Sequence, residues 1–302
     1  MSVINLNALP APDVVEILDF ETLYARRKAR LVSLYPVAEQ AEVAKALALD
    51  SEPMAKILQE NAYNEMTLRQ RVNDATRAVM LAFSKGKDLE QLAARYNLVR
   101  QVVTPADNST TPPTPAVMEL DDSLRERCLL AYEGLSVAGP RNAYIKHARD
   151  ADGRVADASA ISPEPCEAVI TVLSNIGTGT APADLLAAVE AALSDEDVRP
   201  VGDRVTVQSA TIRQYRIRAT LYLEQGPEAE PILQAATTRA DSYRSQQRRL
   251  GRDVNRTAII AALHVEGVKK LDLIEPAVDL VLDETEAAYC VGVEIVNGGN
   301  GG

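Results

Sequence analysis

The chain has no tryptophan, two phenylalanines and two histidines in 302 residues, and aromatics make up only 4% of it. A core drawn from this stock cannot rest on large rings. It must come mostly from Ala, Leu, Val and Ile, which supply the bulk of the 46% hydrophobic fraction, and alanine at this frequency favours close-packed helices. The three cysteines, Cys128, Cys166 and Cys290, are odd in number, far apart and free of any CxxC pair. That excludes a disulfide framework or zinc ribbon and reads as three reduced thiols. No window approaches the roughly 20 apolar residues that a membrane span needs. The opening MSVINLNALPAP has neither the basic region nor the apolar run of a signal peptide. The expectation is a chain made in the cytoplasm that stays there unless carried out in a larger particle. Acidic residues outnumber basic ones, 43 to 32. The formal net charge of -11 is the wrong balance for a protein that neutralises phosphates, so no nucleic acid is expected as a partner.

Chemistry-bearing patterns are equally thin. His147 and His264 each fall on an expected helix with no Cys or carboxylate at ligand spacing, and there is no HExxH or serine elbow. No catalytic, metal or cofactor residues are therefore assigned, and no cofactor is expected. The nearest approach to a ligand motif is IGTGTAPADLL, where Gly177–Thr180 precede a helix that could hold a phosphate at its N-terminus. The third glycine of GxGxxG is missing, however, and there is no GK[ST]. Thr180 as an N-cap with Pro182 in the first turn accounts for the segment without a ligand.

What the chain has in quantity is helical periodicity. Asp13 and Glu16 read as a capping box opening a helix on Ile17, Phe20, Tyr24, Leu31 and Leu34, stopped by Pro36. From Pro53 to Lys85 steps of four and three give Met54, Leu58, Asn61, Glu65, Leu68, Val72, Ala75, Val79 and Ala82. This heptad register sets one seam against a partner helix, with Asn61 and Glu65 as polar interruptions that can fix register. The alternative is packing within the chain's own domain. A shorter helix follows Gly86, with Asp88 near its start and Asn97 at its end. Then TPADNSTTPPTP, Thr104 to Pro115, reads as a loop or domain boundary.

Beyond that stretch the pattern becomes mixed. Helices are expected over Leu124–Gly134 and Pro140–Asp150, strands near Arg154–Ala160 and Glu167–Ser174, and an alanine-rich helix after Thr180. Tyr215, Ile217, Ala219, Leu221 and Leu223 alternate with polar residues, as in a half-buried antiparallel strand. A polar helix over Glu228–Leu250 follows, then a second helix with Asp253 or Asn255 near its cap, then strands over Val268–Glu275 and Glu286–Val296. NAYIKHARDADGRVADASA and NRTAIIAALHVEGVKKLDLI form a weak repeat: Asn, helix, a turn at Gly153 or Gly267, strand. The fold class expected is α+β: an N-terminal helical region with a long heptad-patterned helix, followed by two small tandem α+β domains. The expected boundaries are 1–103 helical, 104–119 linker, 120–211 and 212–296 the two α+β domains, and 297–302 a mobile tail. Arg244, Arg248, Arg249 and Arg252 form a basic cluster that is either a solvated helix end or a docking patch for an acidic neighbour.

Four segments carry a resemblance to a known family. They are GKDLEQLAARYNLVR, LRERCLLAYEGLSVAGPRNAYIKHA, GTGTAPADLLAAVEAALSDEDVRPVGDRVTVQSATIRQYRIRATLYL and LGRDVNRTAIIAALHVEGVKKLDL. In this order, from Gly86 to Leu273, they resemble the baseplate J family of contractile-tailed bacteriophages. The individual motifs are modest in specificity, and their combination carries the likeness. It implies a wedge subunit of the virion tail baseplate, assembled in the host cytoplasm, with bundled helices and C-terminal domains that join wedges. The implied partners are itself, in two or more copies per wedge, a related wedge subunit and other baseplate proteins, with no membrane involved. The family has no catalytic residues to carry over. The competing readings are a non-viral cytosolic oligomeric adaptor with a helical arm, and a nucleotide-binding enzyme using the Gly177–Thr180 turn.

Overall fold

The computed structural model describes residues 6, 9–10, 12–136, 138–224 and 229–300. It divides into two compact units, Met1–Leu98 and Val99–Gly302.

The first unit is helical: α1 Phe20–Ser33, α2 Gln40–Ala46, α3 Pro53–Ala78 and α4 Gly86–Ala94. The first helix begins at Phe20, later than the Asp13 expected. Its cap is Asp19, whose carboxylate accepts from the Thr22 backbone N–H at 2.7 Å and from the Thr22 hydroxyl at 2.6 Å. Residues 16–19 form no regular structure, and this strap is tied down by Asn73 of α3. The Asn73 carboxamide accepts from the Glu16 N–H at 3.0 Å and donates to the Glu16 carbonyl at 2.9 Å. The third helix starts with Pro53 at its first position, where a missing N–H costs nothing. It ends at Ala78 and not at Lys85, because Val79–Phe83 are five consecutive apolar residues that no single helical stripe can bury. The chain there tightens into turns closed by Met80 N–H to Arg77 O and Phe83 N–H to Met80 O. Asn97, at φ 57°, closes the segment after α4.

The core between α1 and α3 is Leu23, Tyr24 and Ala62, flanked by Phe20, Leu58 and Met66. Ala55 and Ala62 are fully buried, so the backbone of α3 can be approached closely on that face.

The second unit opens with a hairpin, β1 Val102–Thr104 paired antiparallel with β2 Val117–Met118. The Thr104–Pro115 stretch expected as part of a linker between domains is the tip of this hairpin. Asp107 and Thr114 exchange both backbone hydrogen bonds at 2.9 Å, and the Asp107 carboxylate caps Ser109. Turn-forming residues serve a linker and a hairpin tip equally well, which is why composition did not separate the two.

Two α+β modules follow. The central one holds α5 Asp121–Leu130, α6 Arg141–Ala151, β3 Val155–Ile161, β4 Glu167–Ser174, α7 Ala183–Leu193 and β5 Arg204–Ser209. Its sheet has the order β3-β4-β5, with β4 antiparallel to β3 and parallel to β5. Ile170 and Val172 of β4 pack with Leu185, Val189 and Leu193 of α7 in one buried core. The C-terminal module holds β6 Thr211–Leu223, α8 Ala229–Gln247, α9 Arg256–Leu263, β7 Val268–Glu275 and β8 Glu286–Asn300. Its order is β7-β6-β8, again with a central strand antiparallel to one neighbour and parallel to the other. Along β6, Tyr215, Ile217, Ala219, Leu221 and Leu223 are all buried and alternate with more exposed residues. The alternation read from the sequence is present, on a strand flanked by one antiparallel and one parallel neighbour.

Two expected boundaries differ. The alanine-rich helix starts at Ala183 with Pro182 at its cap position, not Thr180. Residues 297–300, expected in a mobile tail, belong to β8, with Asn297 beside Leu221 and Asn300 beside Leu223. Gly301 and Gly302, and Glu228 at the expected start of the polar helix, lie outside the described residues. No helix among the described residues is long and apolar enough to cross a membrane.

Candidate partner-binding surface

The nine-residue seam read along the third helix divides over two faces. Met54 and Leu58 are partly buried, and Leu58 packs against the core shared with α1. Glu65 turns the same way and holds three arginines, with Arg26 at 2.5 Å, Arg27 at 2.6 Å and Arg69 at 3.0 Å. Desolvation alone would raise its pKa. The hydrogen bonds from Arg27 and Arg69 and the charges of Arg27 and Arg26 outweigh that, and the carboxyl sits below the usual range.

Of the rest, Ala82 is half-buried in the turns after α3, and the other positions face outward. Leu68 is 68% exposed, Val72 61% and Val79 65%, and Asn61 and Ala75 are exposed between them. Ile57, also 61% exposed, continues the stripe four residues before Asn61. Sequence reading missed it by choosing Leu58, one position away, although the spacing to Asn61 was available. It also missed the inward face of Ala55, Ala62 and Asn73, because small and polar residues give no periodic apolar signal. The result is an apolar row of Leu68, Val72 and the C-cap residue Val79, with Ile57 further up the same face beyond Asn61 and Asn64, along a helix 26 residues long. Scattered exposed apolar residues need no explanation, but a row at helical spacing is the form taken by a face awaiting another helix. An open apolar cleft of about 470 Å³ also lies in this unit, lined by Lys28, Val32, Gln40 and Leu47 among others.

The basic cluster is largely engaged within the chain. Arg249 makes a two-pronged contact with Glu126, one bond measuring 2.8 Å. Arg248 donates to the carbonyls of Gly177 at 2.8 Å and Ser174 at 3.3 Å, and lies over the Tyr289 ring. Arg244 pairs with Asp241 on its own helix, and Arg252 donates to the Gln246 carbonyl. Arg244 and Arg252 reach only local partners of α8, whereas Arg248 and Arg249 reach groups more than 70 residues away in sequence.

In the Gly177–Thr180 turn the carbonyls of Gly177 and Gly179 both accept hydrogen bonds, the first from Arg248 and the second from the Ser174 N–H at 2.8 Å. The Ser174 and Gly177 carbonyls face Arg248, and the Gly179 N–H is bonded to Ile176 O. Gly179, at φ 113°, leaves no room for a side chain, since a Cβ would lie 2.7 Å from Leu173 Cδ1. This is a turn closed by packing, with one of its carbonyls, Gly177, directed at a cation. Burial pushes the pKa of His147 down, helped by the charge of Lys146, and His264 ends α9. No group of three His, Cys, Asp or Glu among the described residues is placed to hold a metal ion.

The helical unit carries an exposed apolar stripe on α3, and the second unit holds two separately cored α+β modules. Family models match the chain in three places, the Baseplate J-like N-terminal domain over residues 50–107, the Baseplate J-like central domain over 136–209 and the Baseplate J-like protein C-terminal domain over 215–296. Baseplate protein J of Escherichia phage P2 is 57% identical over 300 residues, 99% of each chain. The chain belongs to the baseplate J-like family.

Proposed function

We propose that the chain is a structural subunit of a phage tail baseplate, acting in baseplate and tail assembly through contacts with other chains and not through catalysis. Full-length similarity to a baseplate protein supports the baseplate role. The observation that carries the mode of action is the outward stripe of Ile57, Leu68, Val72 and Val79 on α3. Such a face is left in water unless a second helix covers it. Its occupants on this reading are helices of a second copy and of a related wedge subunit, so that the helical unit bundles while the C-terminal modules meet neighbouring wedges. Asn61, one turn after Ile57 at the N-terminal end of the stripe, supplies the polar break that sets register in paired helices.

The test is composition and stability together. Mass spectrometry of purified tails is expected to find the chain in stoichiometric amount beside the other baseplate subunits. Its absence from particles would leave a non-viral adaptor as the better reading. Millimolar ATP, GTP or NAD is expected to leave the melting temperature unchanged. A ligand at 100 times its dissociation constant adds about 2.7 kcal/mol, so a bound nucleotide would be plainly visible and would restore the enzyme reading.

A further inference from the structure

The two α+β modules have separate cores, one around Ile170 and Leu185 and the other around Ile217 and Ile259. The chain passes from one to the other through a single residue, Ala210, between Ser209 at the end of β5 and Thr211 at the start of β6. The apolar contact where they meet is small. Leu173, Ala210 and Ala287 are its buried members, with Ala156, Ile212 and Leu250 beside them. Two alanines and one leucine remove little apolar surface from water, and area is what hydrophobic holding power scales with.

The junction is instead dense in polar bonds that cross it. Arg249 grips the Glu126 carboxylate across the junction with both prongs of its guanidinium, while Arg149 of α6, 5% exposed, holds the same carboxylate at 2.9 Å from within the central module. The Leu250 N–H donates to Asp157 at 3.1 Å, Arg248 reaches the Gly177 carbonyl, and Arg141 pairs with Glu284 at 2.9 Å. Consecutive residues 248, 249 and 250 thus each hold a different part of the central module: the α7 entry turn, α5 and β3. Bidentate arginine–carboxylate pairs fix orientation as well as distance, so this arrangement specifies an angle and does not merely glue surfaces together.

We infer that the central and C-terminal modules are two separately stable bodies locked at one angle by a latch, with Arg249 on Glu126 as its key and Ala210 as its pivot. Opening the latch frees the modules to turn about Ala210 without unfolding either. This goes beyond the assembly role and does not depend on which partner covers α3.

The experiment uses the full chain with Cys166 and Cys290 changed to Ser and spin labels on cysteines placed at Glu190 of α7 and Arg239 of α8, both exposed helix positions. The expected result is one narrow label–label distance in this parent and a shifted or broadened one after Arg249→Ala. Hydrogen-exchange protection of the β4 and β6 ladders is expected to stay the same in both. An identical narrow distance after Arg249→Ala overturns the latch, as does a broad distance in the parent. Loss of ladder protection, or failure of Arg249→Ala to fold, overturns the inference of separately stable modules.

Discussion

The helical unit and the α+β unit handle their apolar residues differently. In the first, eleven large apolar side chains are exposed within residues 9–79, and the core joining α1 to α3 has three buried members. In the second, β6 alone buries five side chains in a row of alternate positions, and two cores of a dozen or more buried residues stand side by side. Among the described residues the α+β unit also exposes fourteen large apolar side chains, but over about twice the length and around far larger cores, so the helical unit keeps the greater share of its apolar stock on the outside. A domain that leaves a regular stripe in water gives up stabilisation of its own in exchange for affinity toward whatever covers it.

The strongest way to break that contrast is to charge the stripe. Leu68→Asp with Val72→Asp is expected to abolish co-purification with a neighbouring wedge subunit. The change in stability of the isolated chain should stay within about 0.5 kcal/mol, as at most surface positions, because both side chains are already more than 60% exposed. Wild-type recovery of partner would remove the bundling role from this face. Unfolding in circular dichroism would place the stripe inside the chain's own core.

The converse test lies in the C-terminal module. Ile217→Ala, at a position with no exposure, is expected to cost about 2–5 kcal/mol through lost burial and a residual cavity. The loss should be read in denaturant unfolding followed at the strands, with the helical unit's own transition unmoved. Asn73→Ala sharpens the comparison from the helical side. It deletes both hydrogen bonds to the Glu16 backbone and is expected to destabilise that unit by about 1–3 kcal/mol, with faster proteolysis between Pro12 and Asp19.

The smallest expected effect is a pH dependence at Glu126. Burial there acts to raise the carboxyl's pKa, but the hydrogen bond from Arg249 and the charges of Arg149 and Arg249 prevail and lower it from 4.5. A carboxyl with a depressed folded pKa contributes stability above its unfolded value and loses it as pH falls through the folded one. Melting temperature should therefore fall below about pH 4.5 more steeply in the parent than in Glu126→Gln. Equal slopes would show that the carboxylate is not a stabilising acceptor.

Much of this was legible along the chain. The period-two pattern from Tyr215 to Leu223 placed a half-buried strand, and the helix–Gly–strand repeats around Gly153 and Gly267 placed α6–β3 and α9–β7. Local spacing is enough for such elements, because burial of one face imposes it. What stayed hidden depended on distant partners. The Thr104–Pro115 segment needed Val102 and Met118 to find each other before it was a hairpin. Arg248 and Arg249 looked like a solvated helix end until Gly177 and Glu126 came beside them. The two faces of α3 were merged into one seam because Leu58 and Ile57 are adjacent, and only α1 decides which of them turns inward.

The bond between Asn73 and Glu16 has a consequence for how this chain tolerates change. The carboxamide engages the backbone of residue 16 and not its side chain, so it recognises a place along the strap and is indifferent to what is written there. The Glu16 side chain adds an ion pair to Arg69, with both groups over a third exposed, and such pairs contribute little. Substitutions at position 16 other than proline, which lacks the N–H that Asn73 accepts, should therefore drift freely. A single-residue insertion or deletion between position 16 and the Asp19 cap should not, because it would offer Asn73 the neighbouring peptide, with its carbonyl and N–H facing the wrong way. This strap is spelled by its length.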